Sequence, residues 1–258
     1  MNTGSRKNLQ ETPIVLVVDG DAVRRFCTCV YLLRLGYHVF PVEKGEDAMH
    51  LMKLTSALIL ITEIILPGMN GIDLLKLMKQ EIWTRHVPVL IYTTITDQAY
   101  RVPCEEAGCA GYLRQSADYN KLYEAVQHAT EPTPRSYVRL STWFNVDIRT
   151  PDGGRRSAVV TAISQEGMFV DMQEPLACGT IAEFTLFLPR LAEGSVLVTG
   201  QVLYSHQAGI GGNPGIGVKF LKVWSDAGAM IRKFIRDKLT EGIGTTFGFE
   251  EQNGRYRF

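Results

Sequence analysis

Short apolar runs and amphipathic stretches alternate five times between Pro13 and Ala129, and no other feature of the chain restricts its fold as much. Ile14-Val15-Leu16-Val17-Val18 is a continuous β-branched run, the pattern of a central strand covered on both faces. Ala22 to Leu35 reads as the helix that follows it, stopped by Gly36. The pair then repeats: a strand over Tyr37 to Val42 with a helix over Gly45 to Leu54, and a strand over Ala57 to Ile65 with a helix over Ile72 to Ile82. Val87 to Thr93 precedes a helix over Thr96 to Ala107, and Gly111 to Leu113 precedes one over Ala117 to Ala129. Five consecutive βα units predict a doubly wound parallel sheet with right-handed crossovers, its crevice at the carboxyl ends of the strands.

Those ends carry Asp19-Gly20, Glu63, Thr93-Thr94 and Arg114-Gln115. Their order, with Leu58 to Ile65 running into Pro67-Gly68, resembles the receiver domain of bacterial response regulators, a CheY-like (βα)5 fold, over about Pro13 to Ala129. The resemblance implies an aspartate four residues before the proline that accepts a phosphoryl group, an acidic pair that holds magnesium, a switch hydroxyl, a switch aromatic and a lysine for the phosphate. In this sequence the acceptor position is Glu63, the acidic pair is Asp19 and Gly20, the switch pair is Thr93 and Tyr112, and the lysine position is Gln115, followed by Ser116. Magnesium needs oxygen ligands, usually carboxylates, and the phosphoryl charge needs a cation. An in-line nucleophile loses on the order of 100-fold when it moves by about 1 Å. With three of these positions changed together, the expectation is a receiver-like domain that is not phosphorylated, holds no metal, and serves an unidentified protein partner or a homodimer. Glu63 then reads either as a buried carboxylate bonded to Thr93 or backbone amides, or as a fixed phosphate mimic. Asp21 is expected to open the first helix and point away from the crevice.

Residues 130–134 carry two prolines, which stop a helix and stiffen a chain, and mark a linker between a domain over 13–129 and a second one over 135–240. The texture changes there to six short strand-like runs: Phe144 to Arg149, Arg156 to Ile163, Met168 to Met172, Ile181 to Leu188, Ser195 to His206 and Gly215 to Lys222. Turn signals separate them, Pro151-Asp152-Gly153-Gly154 among them, and the spacing suggests a small antiparallel barrel. Asp226 to Leu239 reads as an amphipathic helix that Ser225 can cap.

Arg135-x-x-x-Arg139, Ala162-Ile163-Ser164-Gln165-Glu166-Gly167 and Gly217-Val218-Lys219-Phe220 together resemble the PilZ domain, a bacterial cyclic di-GMP receptor, over about Pro134 to Leu239. The resemblance implies a six-stranded antiparallel β-barrel with a C-terminal helix, with cyclic di-GMP held by Arg135, Arg139, Ser164 and Gly167. The residue types suit such a ligand. A guanidinium fork matches phosphate oxygens and the guanine edge, a serine hydroxyl bonds a phosphate or a base edge, and a glycine lets backbone approach closely. The departure is Ala162, where the family carries aspartate or asparagine; the lost bond to guanine costs about 1–3 kcal/mol. Motility, pili, biofilm or polysaccharide secretion are the outputs implied. Residues 241–258, rich in glycine and aromatics, read as a flexible tail or a docking strand.

The formal net charge is zero, so no global basic field favours DNA or an anionic membrane surface. The longest apolar run, Leu58 to Pro67, is far shorter than the ~20 residues of a membrane span, and Met1 to Thr12 is polar. A soluble cytoplasmic protein is expected, its five cysteines reduced and buried or half-exposed. The five histidines do not cluster with Cys or Asp at metal or triad spacing, and no phosphate-binding glycine loop appears, so the chain reads as a non-enzyme.

Overall fold

A computed structural model describes residues 13–115, 119–134, 137–189, 195–207, 213–224 and 226–243. They form two compact units that divide just before Tyr137.

In the first unit the strands β1 (Ile14–Val18), β2 (His38–Val42), β3 (Ala57–Thr62), β4 (Val89–Thr93) and β5 (Gly111–Arg114) build one sheet in the order β2-β1-β3-β4-β5, with every pairing parallel. The β-branched run of β1 is almost wholly buried, as a strand covered on both faces requires. The helices are α1 (Ala22–Arg34), α2 (Gly45–Met52), α3 (Gly71–Gln80), α4 (Arg101–Glu106) and α5 (Tyr119–Thr130). Leu16, Leu60 and Ile91 from the sheet and Leu74, Leu75 and Met78 from α3 are among the fully buried residues of one apolar cluster. The strand order reverses beside β1, which puts the ends of β1 and β3 at the crevice of this sheet class.

Asp21 opens α1 as expected, its carboxylate accepting from the amides of Val23 and Arg24. Two element assignments change. The helix expected from Thr96 is a 3-10 turn, Gln98–Tyr100, followed by α4, because Pro103 lacks an amide hydrogen and fits only the first helical turn. The strand expected to reach Ile65 ends at Thr62, so Glu63 stands just beyond it, its amide still bonded to the Val18 carbonyl at 2.9 Å.

The second unit is a closed antiparallel barrel of β6 (Leu140–Arg149), β7 (Arg155–Ile163), β8 (Gly167–Asp171), β9 (Ile181–Leu186), β10 (Val196–His206) and β11 (Gly215–Val223). Around the barrel they run β10-β11-β8-β7-β6-β9, and β9 pairs back onto β10. Alternate residues point inward, among them Val146, Val160, Val170, Phe184, Val198 and Val218. α6 (Ala227–Thr240) follows β11, with Ile231, Phe234 and Ile235 buried and the Phe234 ring edge-on to Phe144 at 5.6 Å. β6 starts four residues earlier than the alternation suggests, because a bulge between Ser141 and Phe144 interrupts the period of two. The cap expected at Ser225 lies outside the described residues; Asp226 stands at the N-cap and makes no side-chain capping bond.

Candidate functional sites

At the crevice of the first unit two carboxylates are held in different ways. Glu63 is 1% exposed, and both of its oxygens are engaged. Oε1 accepts from the Ile64 amide at 2.6 Å and from the Thr93 hydroxyl, while Oε2 accepts from the amide and hydroxyl of Thr94 at 2.9 and 3.1 Å. The extra methylene of glutamate thus carries the carboxylate from the end of β3 to the end of β4. Thr93 in turn accepts from the Ile95 amide at 3.1 Å, so its hydroxyl is fixed on both sides.

Asp19 is held by a cation that the sequence reading missed. Arg24, one turn into α1, reaches back with Nε at 3.2 Å and Nη2 at 2.9 Å from the two Asp19 oxygens. The amide of Asp21 donates to the same carboxylate at 2.9 Å, and the Gln115 side-chain amide does so at 3.0 Å. Gln115 also donates to the Tyr92 carbonyl at 3.0 Å, which ties the end of β5 to β1 and β4. Partial burial works against the charge on Arg24, but the bond to Asp19 and the charges of Asp19, Asp21 and Glu63 outweigh it and hold the guanidinium above its ordinary pKa. The available signal was an arginine five residues after the aspartate, on the helix that Asp21 caps.

These residues do not fit a divalent cation. Asp19 already bonds a guanidinium in two places, and both oxygens of buried Glu63 are taken up by amides and hydroxyls of Ile64, Thr93 and Thr94. A Cβ at Gly20 would sit 2.8 Å from the Pro67 Cδ, so no second carboxylate fits at that position without a shift. Among the described residues no three His, Cys, Asp or Glu side chains gather as a metal site. Tyr112 lies half-buried against the core; its hydroxyl is buried without a partner, and burial pushes its pKa up. Cys27, Cys29 and Cys104 are buried, burial pushing the last two up to about 11, and Cys109 is half-buried. Cys178 is exposed, so the expectation of buried or half-exposed thiols fails there.

On the barrel, the turn from β7 to β8 carries the serine–glycine motif. The Ser164 amide donates to the Gly167 carbonyl at 2.8 Å, and its hydroxyl does so at a weaker 3.2 Å. A Cβ at residue 167 would sit 2.3 Å from the Val218 carbonyl oxygen, so only glycine lets β8 lie this close to β11. Arg139 immediately precedes β6, exposed, one step beyond the Leu140–Ile163 pair and therefore level with Ser164. Arg135 lies outside the described residues. The next outward row runs Ser141, Ala162, Phe169, Gly217, Tyr204 across β6, β7, β8, β11 and β10. Tyr204 lies over Gly217 and stacks toward Phe169 at 6.3 Å, with His206 beside it at 5.4 Å. Ala162 therefore stands next to exposed aromatic surface, a grouping that the bulge in β10 between Val202 and Tyr204 hides from a period-two reading.

Comparison with known proteins gives both units a class. Residues 15–127 match the model of the response regulator receiver domain and residues 133–237 that of the PilZ domain: the chain carries a receiver domain followed by a PilZ domain. Over 112 residues it is 24% identical to Protein PilH of Pseudomonas aeruginosa, covering 43% of this chain and 93% of that protein. It is 28% identical over 162 residues to the sensory/regulatory protein RpfC of Xanthomonas campestris, covering 60% of this chain. The chain spans only 21% of RpfC, and 10% of histidine kinase P4 of Formosa agariphila, to which it is 24% identical over 132 residues. The chemotaxis response regulator CheY4 of Vibrio cholerae superposes with a TM-score of 0.44 at 22% identity, over 46% of this chain and 99% of that structure. No helix among the described residues is long and apolar enough to cross a membrane.

Proposed function

We propose that this is a cytoplasmic signalling effector whose PilZ domain binds cyclic di-GMP and whose receiver domain works through protein contacts, without phosphoryl transfer. The observation that carries the ligand reading is the row on the outer barrel face that puts Arg139 beside Ser164 and Gly167. Arg139 is exposed and makes no ion pair among the described residues, so its fork is free for a phosphate or a guanine edge. Arg135, four residues before it, supplies a second fork in this reading. The Ser164 hydroxyl donates to the Gly167 carbonyl, so in this reading it meets the ligand as an acceptor, for a guanine N–H. Alanine at 162 removes an edge contact, and the neighbouring ring of Phe169 offers a base a face to stack on.

The receiver reading rests on Arg24. A guanidinium clamped on Asp19 and a glutamate bonded to Thr93 and Thr94 leave neither a metal ligand nor an in-line nucleophile. Motility, biofilm or secretion outputs accord with the PilZ class. Calorimetric titration of the whole chain with cyclic di-GMP tests the ligand half. Saturable binding that Arg139→Ala weakens at least tenfold is expected, and absence of heat at high micromolar ligand would refute it.

A further inference from the structure

We infer that Lys219 is a second cation of the ligand face, placed across the motif turn from Arg139, and that it contacts a phosphate of the bound dinucleotide; the inference rests on the cyclic di-GMP reading above. Val218 and Phe220 point into the barrel, so Lys219 between them points out. In the ladder Lys219 is the register partner of Gly167 on one side and of Gln201 on the other. Gly167 has no side chain to stand between them, and the β11 backbone lies close enough that a Cβ on residue 167 would be 3.5 Å from the Lys219 Cα. The outward positions level with the turn are therefore Arg139 just before β6, Ser164 just after β7, Gly167 on β8 and Lys219 on β11.

Neighbouring strands are about 4.8 Å apart, so Lys219 stands one strand spacing from Gly167 at the backbone. Its long side chain can therefore reach over the glycine to a ligand seated on the motif turn. Lys219 is exposed and has no ion pair or hydrogen bond among the described residues. Glu166 is the nearest acid in the turn; its carbonyl accepts from the Phe220 amide at 2.8 Å, and its exposed carboxylate pairs with nothing described. A cyclic dinucleotide carries two phosphates, and a second cation beside the motif turn matches a dianion better than a single arginine does. An ammonium is a point charge with three rotatable donors, suited to a phosphate oxygen and poorly suited to discriminating a base edge. Lys219 should therefore set affinity and salt dependence, and leave guanine selectivity to Arg139 and the motif turn.

The test is calorimetric titration of the whole chain with cyclic di-GMP at low and high salt, for the unaltered protein, Lys219→Gln, Lys219→Glu and Lys219→Arg. The expected result is about a tenfold weaker dissociation constant for Lys219→Gln, a larger loss for Lys219→Glu, recovery in Lys219→Arg, and a flatter salt dependence in the two weakened variants. The melting temperature should be the same in all four, because the Lys219 side chain is exposed and makes no ion pair or hydrogen bond among the described residues. Binding by the unaltered protein that Lys219→Gln and Lys219→Glu leave within twofold would overturn the role of Lys219 and leave the ligand reading standing. Absence of binding by the unaltered protein would remove both.

Discussion

Glu63 and Arg24 each tie up part of the receiver crevice, Glu63 bonding Thr93 and Thr94 at the end of β4 and Arg24 bonding Asp19 just beyond β1. Arg24 has only partial exposure to water, and Asp19 is 3% exposed, so their pairing is of the semi-buried kind whose loss strands a carboxylate. Asp19 keeps the Asp21 amide and Gln115 when Arg24 is removed, which moderates the loss. Arg24→Ala should lower receiver stability by about 1–3 kcal/mol, read as an earlier urea midpoint; an unchanged midpoint would show that the clamp is incidental. Asp21, two residues on, is held below the ordinary carboxylate range by its bond from the Arg24 amide, with the charge of Arg24 adding to that and desolvation opposing it. A lowered folded-state pKa means stability that is present above the unfolded value and lost as pH falls through the folded one. Asp21→Ala should therefore cost about 1 kcal/mol near pH 7, with the gap to the unaltered protein narrowing in acid, beneath the ordinary carboxylate range, as the carboxylate protonates. Equal penalties near neutrality and in acid would mean that the charge contributes nothing to the cap.

The elements were legible from the chain wherever a single period governed them. The parallel strands are continuous apolar runs, and their order, their helices and the barrel that follows all take the form that the periodicity and the two resemblances imply. The misses sit where the period breaks. Pro103 shortens α4, a bulge hides the start of β6, and a second bulge turns Tyr204 outward. The site was legible in its positions and not in its contacts. Glu63, Gly20 and Gln115 announce a changed crevice by type, but Arg24 becomes visible only when α1 turns it back over Asp19. Lys219 likewise gains meaning only from its register with Gly167. Two glycines of the barrel face separate backbone closeness from side-chain closeness. A Cβ at residue 167 meets the Val218 carbonyl, which belongs to the ladder and cannot swing aside, whereas a Cβ at residue 217 meets the Tyr204 ring, which can. Gly167→Ala should cost about 3 kcal/mol or more and Gly217→Ala clearly less, compared by thermal melting of the barrel. The reverse order would mean that β8 can move off β11 at little cost.

At the scale of the whole molecule, the chain joins two folds with separate cores and assigns them unequal chemistry. The receiver domain has the parallel sheet, with the Glu63 carboxylate just beyond β3 bonded to Thr93 and Thr94 at the end of β4. In the PilZ domain Arg139 and Lys219 are exposed, and Ser164 and Gly167 are half-buried between them in the ladder. If the signal enters through the barrel and not through the crevice, a phosphodonor has nothing to change. The direct test is a cyclic di-GMP titration of the whole chain before and after incubation with acetyl phosphate and magnesium. Saturable binding with the same dissociation constant is expected in both. Binding that appears, or tightens severalfold, only after the phosphodonor would contradict it.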